Sequence, residues 1–211
     1  MKFGSAKRAN QKPSNAALPT LSRHSSGFEQ FSGMLQGSEG LSILDMSGAS
    51  QANISFVTSF GHRISSDDIV GTMLQQFGSD WFQSQQAAST AQRFLEQSLT
   101  FPDGSFDGAL LWDALQFLVS PVLEEAVAQL LRVMRPGAMI LAFFNADEKA
   151  THIPLYNYRI QDAKTIIQIP RGGVQRCQYF NNRTLERLFE GASSMKFFLT
   201  RDHLREVLIR R

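Results

Sequence analysis

The chain has 211 residues, a length that is typical of one domain with a sizeable core. Its 21 basic and 19 acidic residues give a formal net charge of +2, and both signs are interspersed over most of the sequence. This balance argues against a broad basic surface for nucleic acid. No apolar run approaches the roughly 18 residues of a membrane-spanning helix, so we expect no membrane partner.

The cysteine and histidine content limits the possible chemistry. A single cysteine, Cys177, excludes an internal disulfide and a zinc site built from several cysteines. A lone thiol is typical of a reducing compartment, and we expect a cytoplasmic protein. The histidines are scattered without metal-ligand spacing, so we expect no metal site; they are His24, His62, His152 and His203.

Residues 1–26 differ in composition from the rest of the chain. They contain Lys, Arg, Ser, Asn, Gln and Pro, and no acidic residue precedes Glu29. Such a segment buries too little apolar area to offset its ordering entropy, so we expect a flexible basic tail. A targeting signal or a partner-binding arm is the alternative. A domain over residues 27–211 follows, and Phe28 and Phe31 help to predict a short amphipathic helix at its edge.

The first half of the domain alternates between short apolar runs and helical periods. Residues 41–45 predict a first strand, and the spacing of Ile54 and Val57 predicts a helix after it. Arg63–Ser66 predicts a second strand, and a helix is expected over Ile69–Phe77. This alternation indicates an α/β domain.

The centre of the chain continues the alternation. Residues 81–99 are rich in glutamine and predict a helix, followed by a short third strand near residues 93–95. Residues 108–112 and 139–144 are apolar runs of strand length, and the segment between them has helical period over residues 122–134. Two buried strands joined by a helix indicate parallel pairing with a right-handed crossover.

The last part of the chain begins with an insertion, residues 145–181, which contains strand-like pieces. A helix is predicted over residues 182–189, with Gly191 as its terminator. Two strands follow, over residues 195–199 and 204–209, and predict a closing antiparallel hairpin.

Two central segments, FPDGSFDGALLWDAL and RVMRPGAMIL, resemble class I S-adenosylmethionine-dependent methyltransferases. The resemblance covers more than 40 residues closely and extends more weakly from residue 41 to the end. It implies a Rossmann-like, doubly wound α/β fold. The expected sheet has seven strands and ends in an antiparallel hairpin. It also implies S-adenosylmethionine as the cofactor.

The resemblance places the cofactor loop at residues 45–51, Asp-Met-Ser-Gly-Ala-Ser-Gln. An acid followed by three spaced glycines is the usual form there. This chain has Asp45, but Ser47, Ala49 and Gln51 stand at the glycine positions, with Gly48 between them. Ser and Ala are small, so a cofactor is sterically possible. The alternative is that the loop no longer holds one.

Further cofactor contacts are implied at three other places. Asp67 or Asp68, after the second strand, would accept the ribose hydroxyls, and a helix N-cap is the alternative role. Glu96 would face the adenine, with an exposed surface glutamate as the alternative. Trp112 and Asp113, at the end of the fourth strand, would border the methyl-donor pocket, with core packing as the alternative for Trp112.

The insertion carries aromatic and basic residues that could meet the acceptor. Tyr156, Tyr158 and Arg159 are the candidate substrate residues of a lid or acceptor wall. The same residue types are enriched at interfaces, so a homodimer or protein contact is the alternative. We assign no catalytic residue, because Leu115–Leu118 reads LQFL where relatives often have a histidine.

The resemblance therefore implies an S-adenosylmethionine-dependent methyltransferase acting on a small or medium-sized acceptor. The absence of the three glycines from the cofactor loop favours an alternative, a methyltransferase-like fold that serves as a binding or scaffolding subunit without catalysis. A nucleic-acid modifier is a third hypothesis, and the near-neutral charge argues against it.

Overall fold

The structure, a computed structural model, describes residues 18–211. In chain order the strands are β1 (Leu21–His24), β2 (Ser42–Asp45), β3 (Arg63–Ser66), β4 (Phe106–Trp112), β5 (Met134–Asn145), β6 (His152–Ile160), β7 (Thr165–Arg176), β8 (Ser194–Leu199) and β9 (Leu204–Arg210). The helices are α1 (Ser26–Gln36), α2 (Gln51–Thr58), α3 (Ile69–Phe77), α4 (Trp81–Ser84), α5 (Ala88–Gln97), α6 (Val122–Val133) and α7 (Asn182–Leu188). A short 3₁₀ helix, Ala114–Phe117, follows β4.

The main sheet has the strand order β3-β2-β4-β5-β9-β8. The strands β3, β2, β4 and β5 pair in parallel, and β9 runs antiparallel to both of its neighbours. The two central apolar runs lie side by side in this sheet, as their crossover pattern predicts. Helices cover both faces, which confirms the doubly wound α/β class.

The main sheet has six strands, and the predicted third strand near residues 93–95 is absent from it. Those residues belong to α5, where Phe94 is fully buried and its neighbours on the opposite side are exposed. Glu96 accepts a hydrogen bond from the Gln92 amide one turn earlier, at 2.8 Å. An amphipathic helix with one large buried side chain thus replaces the expected strand.

The core has two parts, one on each face of the main sheet. Alternate residues of β4 and β5 point to opposite faces, because side chains alternate along a strand. Leu111 and Ile140 pack with α3, α5 and α6, whereas Leu110 and Leu141 pack with α1 and α2.

Helix α1 lies on a face of the sheet, not at the domain edge as predicted. Phe28, Phe31 and Leu35 are fully buried in the same cluster as the central strands. A side chain at Gly27 would lie 2.8 Å from Leu141, so the helix approaches β5 closely there. Ser25 caps the helix by accepting from the Phe28 amide.

A second sheet of three antiparallel strands, β1-β7-β6, is built largely from the insertion. Its third strand, β1, comes from the segment that we predict as a flexible tail. Leu21 to His24 pair with Gln168 to Thr165, so this end of the predicted tail is ordered. Residues 1–17 lie outside the described part of the chain.

Two classes of feature are absent from residues 18–211. This range contains no helix that is both long and apolar enough to cross a membrane. Within the same range, no three His, Cys, Asp or Glu side chains cluster as a metal site would require. Cys177 is a buried free thiol.

Candidate cofactor and acceptor site

The candidate site lies where β2 and β4 pair, at their carboxyl ends. The strand order reverses between these two strands, and open α/β sheets bind ligands at such a point. Asp45 ends β2 and is fully buried. Its Oδ1 accepts from Trp112 Nε1 at 2.7 Å, and its Oδ2 accepts from Asn53 Nδ2 at 2.6 Å. Burial raises the pKa of Asp45, and these hydrogen bonds oppose the rise.

The loop after β2 keeps one feature of a close ligand approach. Gly48 has a φ of 80°, a conformation that favours glycine, and its amide donates to the Asp67 carbonyl at 2.9 Å. Ala49 is exposed. Gln51 begins α2 and is exposed, with its amide group bonded to Ser55 at 2.9 Å. The largest departure from the glycine pattern therefore lies outside the pocket.

The two aspartates after β3 have different surroundings. Asp68 caps α3 by accepting from the Gly71 amide at 2.9 Å, and its side chain lies against Gly48. Arg171 pairs with both carboxylate oxygens of Asp68. The Asp67 carboxylate instead accepts a hydrogen bond from the Leu99 amide, and burial raises the pKa of Asp67. The structure therefore brings Asp68 to the loop and turns Asp67 away.

Trp112 occupies the end of β4 in an unusual conformation. It has a φ of 53° and is almost fully buried. A bulky side chain at positive φ is rare and occurs mostly where surrounding contacts hold it, often at functional sites. Here the indole stacks on Tyr158, with ring centroids 4.9 Å apart and an interplanar angle of 4°.

The three candidate substrate residues lie on β6, beside the loop. The Tyr158 amide donates to Ser47 Oγ at 2.7 Å, and Arg159 Nη1 donates to Ser50 Oγ at 2.7 Å. Tyr156 is half-buried next to Tyr158. All three are thus brought to the strand-end region, where their roles remain predictions.

Glu96 lies elsewhere. It is exposed on α5, bonded to Gln92, and does not line the space between the strand ends. The missing third strand is the reason, because the predicted role depends on a strand end at that point. The structure therefore favours the alternative of a surface glutamate.

Two residues of the site, Asn53 and Arg171, are not among the sequence candidates, and Asp113 is predicted only as the neighbour of Trp112. Asn53 is fully buried and joins α2 to β6, accepting from the Ile160 amide at 2.8 Å and donating to the Tyr158 carbonyl at 3.2 Å. Arg171 binds Asp68, and Asp113 follows Trp112 at the base of the site. Only the adjacency of Asp113 to Trp112 is visible in the sequence.

Asp113 is 4% exposed, and burial raises its pKa to about 7. A hydrogen bond from the Tyr158 hydroxyl and the charge of Arg171 act in the opposite direction. A carboxyl with a pKa near neutrality can exchange a proton with a bound molecule at physiological pH.

Two spaces meet at this carboxyl. The space between the ends of β2 and β4 has a volume of about 10 Å³, and the second sheet fills most of it. A cleft of about 270 Å³ lies on the other side, lined by Arg23, Gln116, Asn145 and Gln168 among others. Asp113, Tyr156 and Tyr158 line both spaces.

A family model described as "Methyltransferase domain" matches residues 44–142, slightly less than half of the chain. None of the curated proteins matches the chain.

Solved structures resemble the chain at low sequence identity. The PH0226 protein of Pyrococcus horikoshii is 13% identical, with a TM-score of 0.50 over 87% of each chain. The Burkholderia thailandensis 1,6-didemethyltoxoflavin-N1-methyltransferase, solved with 1,6-didemethyltoxoflavin and S-adenosylhomocysteine, is 13% identical with a TM-score of 0.46. That alignment covers 88% of this chain and 78% of the other. A methyltransferase of Archaeoglobus fulgidus is also 13% identical, with a TM-score of 0.47 over 87% of this chain and 94% of that one.

The polar groups of the site suit a nucleoside cofactor, but the available space does not. Gly48 and Asp68 lie against each other, at the positions where the resemblance predicts a backbone approach and a ribose contact. Small-molecule pockets usually measure roughly 300–1,000 Å³, whereas about 10 Å³ suffices for only about one water molecule. In the conformation described here, S-adenosylmethionine does not fit between the strand ends.

Proposed function

Because residues 44–142 form a class I methyltransferase domain, for which S-adenosylmethionine is the cofactor, we propose that the protein methylates a small or medium-sized acceptor. The observation that carries the acceptor assignment is the shared wall between the two spaces. Asp113, Tyr156 and Tyr158 border both the strand-end space and the 270 Å³ cleft. A molecule in the cleft would be next to the site of methyl donation.

The cleft has the size and lining of a small-molecule site. Its volume is near the lower end of the usual range for such sites. Hydrogen-bonding side chains, Gln116, Asn145 and Gln168, are combined with apolar surface from Leu21 and Ile153. This lining suits an acceptor with a polar nucleophilic group on a compact apolar body.

Asp113 is our candidate proton acceptor in this reaction. A hydroxyl or amine becomes a better nucleophile when a nearby base takes its proton, and such a base works best with a pKa near the working pH. Burial brings the pKa of Asp113 into that range. Tyr156, which lines the cleft, would position the acceptor against this carboxyl, and Arg159 would hold β6 to the loop through Ser50 before the cofactor binds.

The cofactor supplies an electrophilic methyl group, and the chain has to position the acceptor and exclude water. With the second sheet moved aside, the loop from Asp45 to Ala49 and the Asp68 carboxylate are the groups available to hold the nucleoside. Asp67, turned towards Leu99, is not among them.

The test is calorimetry with S-adenosylhomocysteine, followed by transfer from methyl-labelled S-adenosylmethionine to a panel of small phenols and amines. We expect binding tighter than about 1 mM, or about 4 kcal/mol. Asp113→Asn should reduce transfer, whereas Glu148→Gln, which removes an exposed carboxylate nearby, should not. Cofactor binding without transfer to any acceptor would contradict the proposed activity.

A further inference from the structure

The second sheet makes the contacts that a nucleoside cofactor would need. Arg171 Nη1 lies 2.8 Å from Asp68 Oδ1, and its Nη2 pairs with the other carboxylate oxygen. Together with the Gly71 amide, Arg171 occupies three of the roughly four acceptor sites of this carboxylate, which leaves too few for two ribose hydroxyls. The Arg171 side chain is 15% exposed and the Asp68 side chain is 39% exposed, so the pair is partly shielded from water.

An aromatic ring lies beside Trp112, in the space between the ends of β2 and β4. Tyr158 is almost fully buried, stacks on Trp112, and contacts Phe143 edge-on with centroids 5.7 Å apart. Its hydroxyl accepts from Gln168 Nε2 at 3.3 Å. The ring thus covers Trp112 at the end of β4 and Phe143 near the end of β5.

The free edge of β6 is bound to the cofactor loop. In the three-stranded sheet only one edge of β6 pairs with another strand, β7. The other edge donates from the amides of Tyr158 and Ile160 to Ser47 and Asn53, at 2.7 and 2.8 Å. The side chains of Ser47 in the loop and Asn53 in α2 therefore take the place of a neighbouring strand.

We propose that the β6–β7 hairpin is an internal occupant of the cofactor site, and that Arg171 holds it there through Asp68. S-adenosylmethionine then binds only when it displaces Arg171 from Asp68 and Tyr158 from Trp112. The apparent affinity is lowered by the fraction of molecules in which the hairpin is closed. This inference rests on the proposed function, because it assumes that the cofactor is a ligand of the chain.

Arg171→Met is the decisive variant, because it removes the guanidinium and keeps the apolar stem. We expect it to bind S-adenosylhomocysteine at least tenfold more tightly than the parent in calorimetry. Arg171→Lys keeps the charge but not the paired hydrogen bonds, so its affinity should fall between the two. Arg176→Met is the matched control, since Arg176 is on the same strand but lies over Phe82, at 4.4 Å from the ring centroid.

Hydrogen exchange provides a readout that does not depend on turnover. The amides of Tyr158 and Ile160 should exchange faster in Arg171→Met than in the parent, and faster in the parent when S-adenosylhomocysteine is added. Arg176→Met should leave both amides unchanged.

The possible failures separate the two proposals. Equal affinity of the parent and Arg171→Met, with binding measurable in both, would overturn the internal-occupant inference and leave the proposed function standing. Binding to none of the four proteins at millimolar ligand would overturn the proposed function, and the inference with it.

Discussion

The indole nitrogen of Trp112 donates to the buried carboxylate of Asp45 across 2.7 Å, and this bond joins the ends of two neighbouring parallel strands. The two residues are 67 positions apart in sequence. The bond holds the strained end of β4 against the end of β2, at the point where the strand order reverses. The candidate site is built around this connection.

Trp112→Phe tests the connection. Phenylalanine keeps an aromatic ring for the stack on Tyr158 but leaves Asp45 with one donor fewer, and hydrogen bonds to charged groups contribute about 1.5–3 kcal/mol. We expect a loss of that size in the free energy of unfolding, measured with urea. Trp81→Phe, which loses a bond to the Gly78 carbonyl at 3.0 Å, should cost about 0.5–1.5 kcal/mol. An equal loss in both variants would contradict a special role for the Asp45 bond.

Asn53→Ala should weaken the attachment of the second sheet. The side chain bonds Asp45 and also the Tyr158 carbonyl and the Ile160 amide on the free edge of β6, all in a buried setting. Leaving these groups without partners should cost about 3–4 kcal/mol of unfolding free energy. Ser47→Ala removes a single bond to Tyr158 and should cost about 1–2 kcal/mol. The measurement is urea unfolding, in which the dependence of the free energy on urea concentration should stay the same. Equal losses in the two variants would contradict the larger effect expected for Asn53→Ala.

Asp68→Ala should weaken cofactor binding by an amount that depends on the residue at position 171. In an Arg171→Met background only the ribose contact is lost, and affinity should fall about ten- to hundredfold, corresponding to roughly 1.5–3 kcal/mol. In the parent, the same substitution also frees the hairpin, so the loss should be smaller. Calorimetry on the four proteins of this cycle measures the coupling. Identical losses in the two backgrounds would mean that Arg171 and the cofactor do not compete for Asp68.

Asp113 makes the stability of the protein depend on pH. Its pKa is raised from 3.8 in the free side chain to about 7 by burial, so the folded state holds a proton that the unfolded chain has released between these values. The contribution favours the fold at low pH and is lost as the pH rises towards 7, by up to about 4 kcal/mol. Asp113→Asn should therefore be close to the parent in stability at pH 4 and more stable at pH 8. Urea unfolding of both proteins at pH 4 and pH 8 is the check. If the variant and the parent differed in stability by the same amount at both pH values, a protonated Asp113 would be contradicted.

The sequence predicts the parts of the fold that depend on local periodicity. The apolar runs of β4 and β5 and the helical period of α6 lead directly to the observed crossover. The predicted strand near residues 93–95 is wrong, because so short a segment shows no clear hydrophobic period. The burial of Phe94, which the sequence does not reveal, decides that it is helical. The strand β1 is likewise hidden, since its polar residues gain their partners only from the distant β7.

The same distinction applies to the site. Asp45, Gly48 and Asp68 are predictable because each follows a recognisable strand. The partner of Asp68 is not predictable, because Arg171 lies 103 positions further along the chain. Nothing in the sequence distinguishes it from the other two arginines of the insertion. The burial of Asp113 depends on where Tyr158 packs, and that is a property of the folded second sheet.

The pairing of β1 with β7 has a consequence for any shortened form of the protein. Four residues from Leu21 to His24 cover one edge of β7. A chain that begins at α1 would present this edge as a row of unpaired amides and carbonyls, and such edges recruit strands from other molecules. We expect the truncated form to self-associate as its concentration rises, through a strand that is exchanged or added between copies. The longer chain should self-associate less at the same concentration.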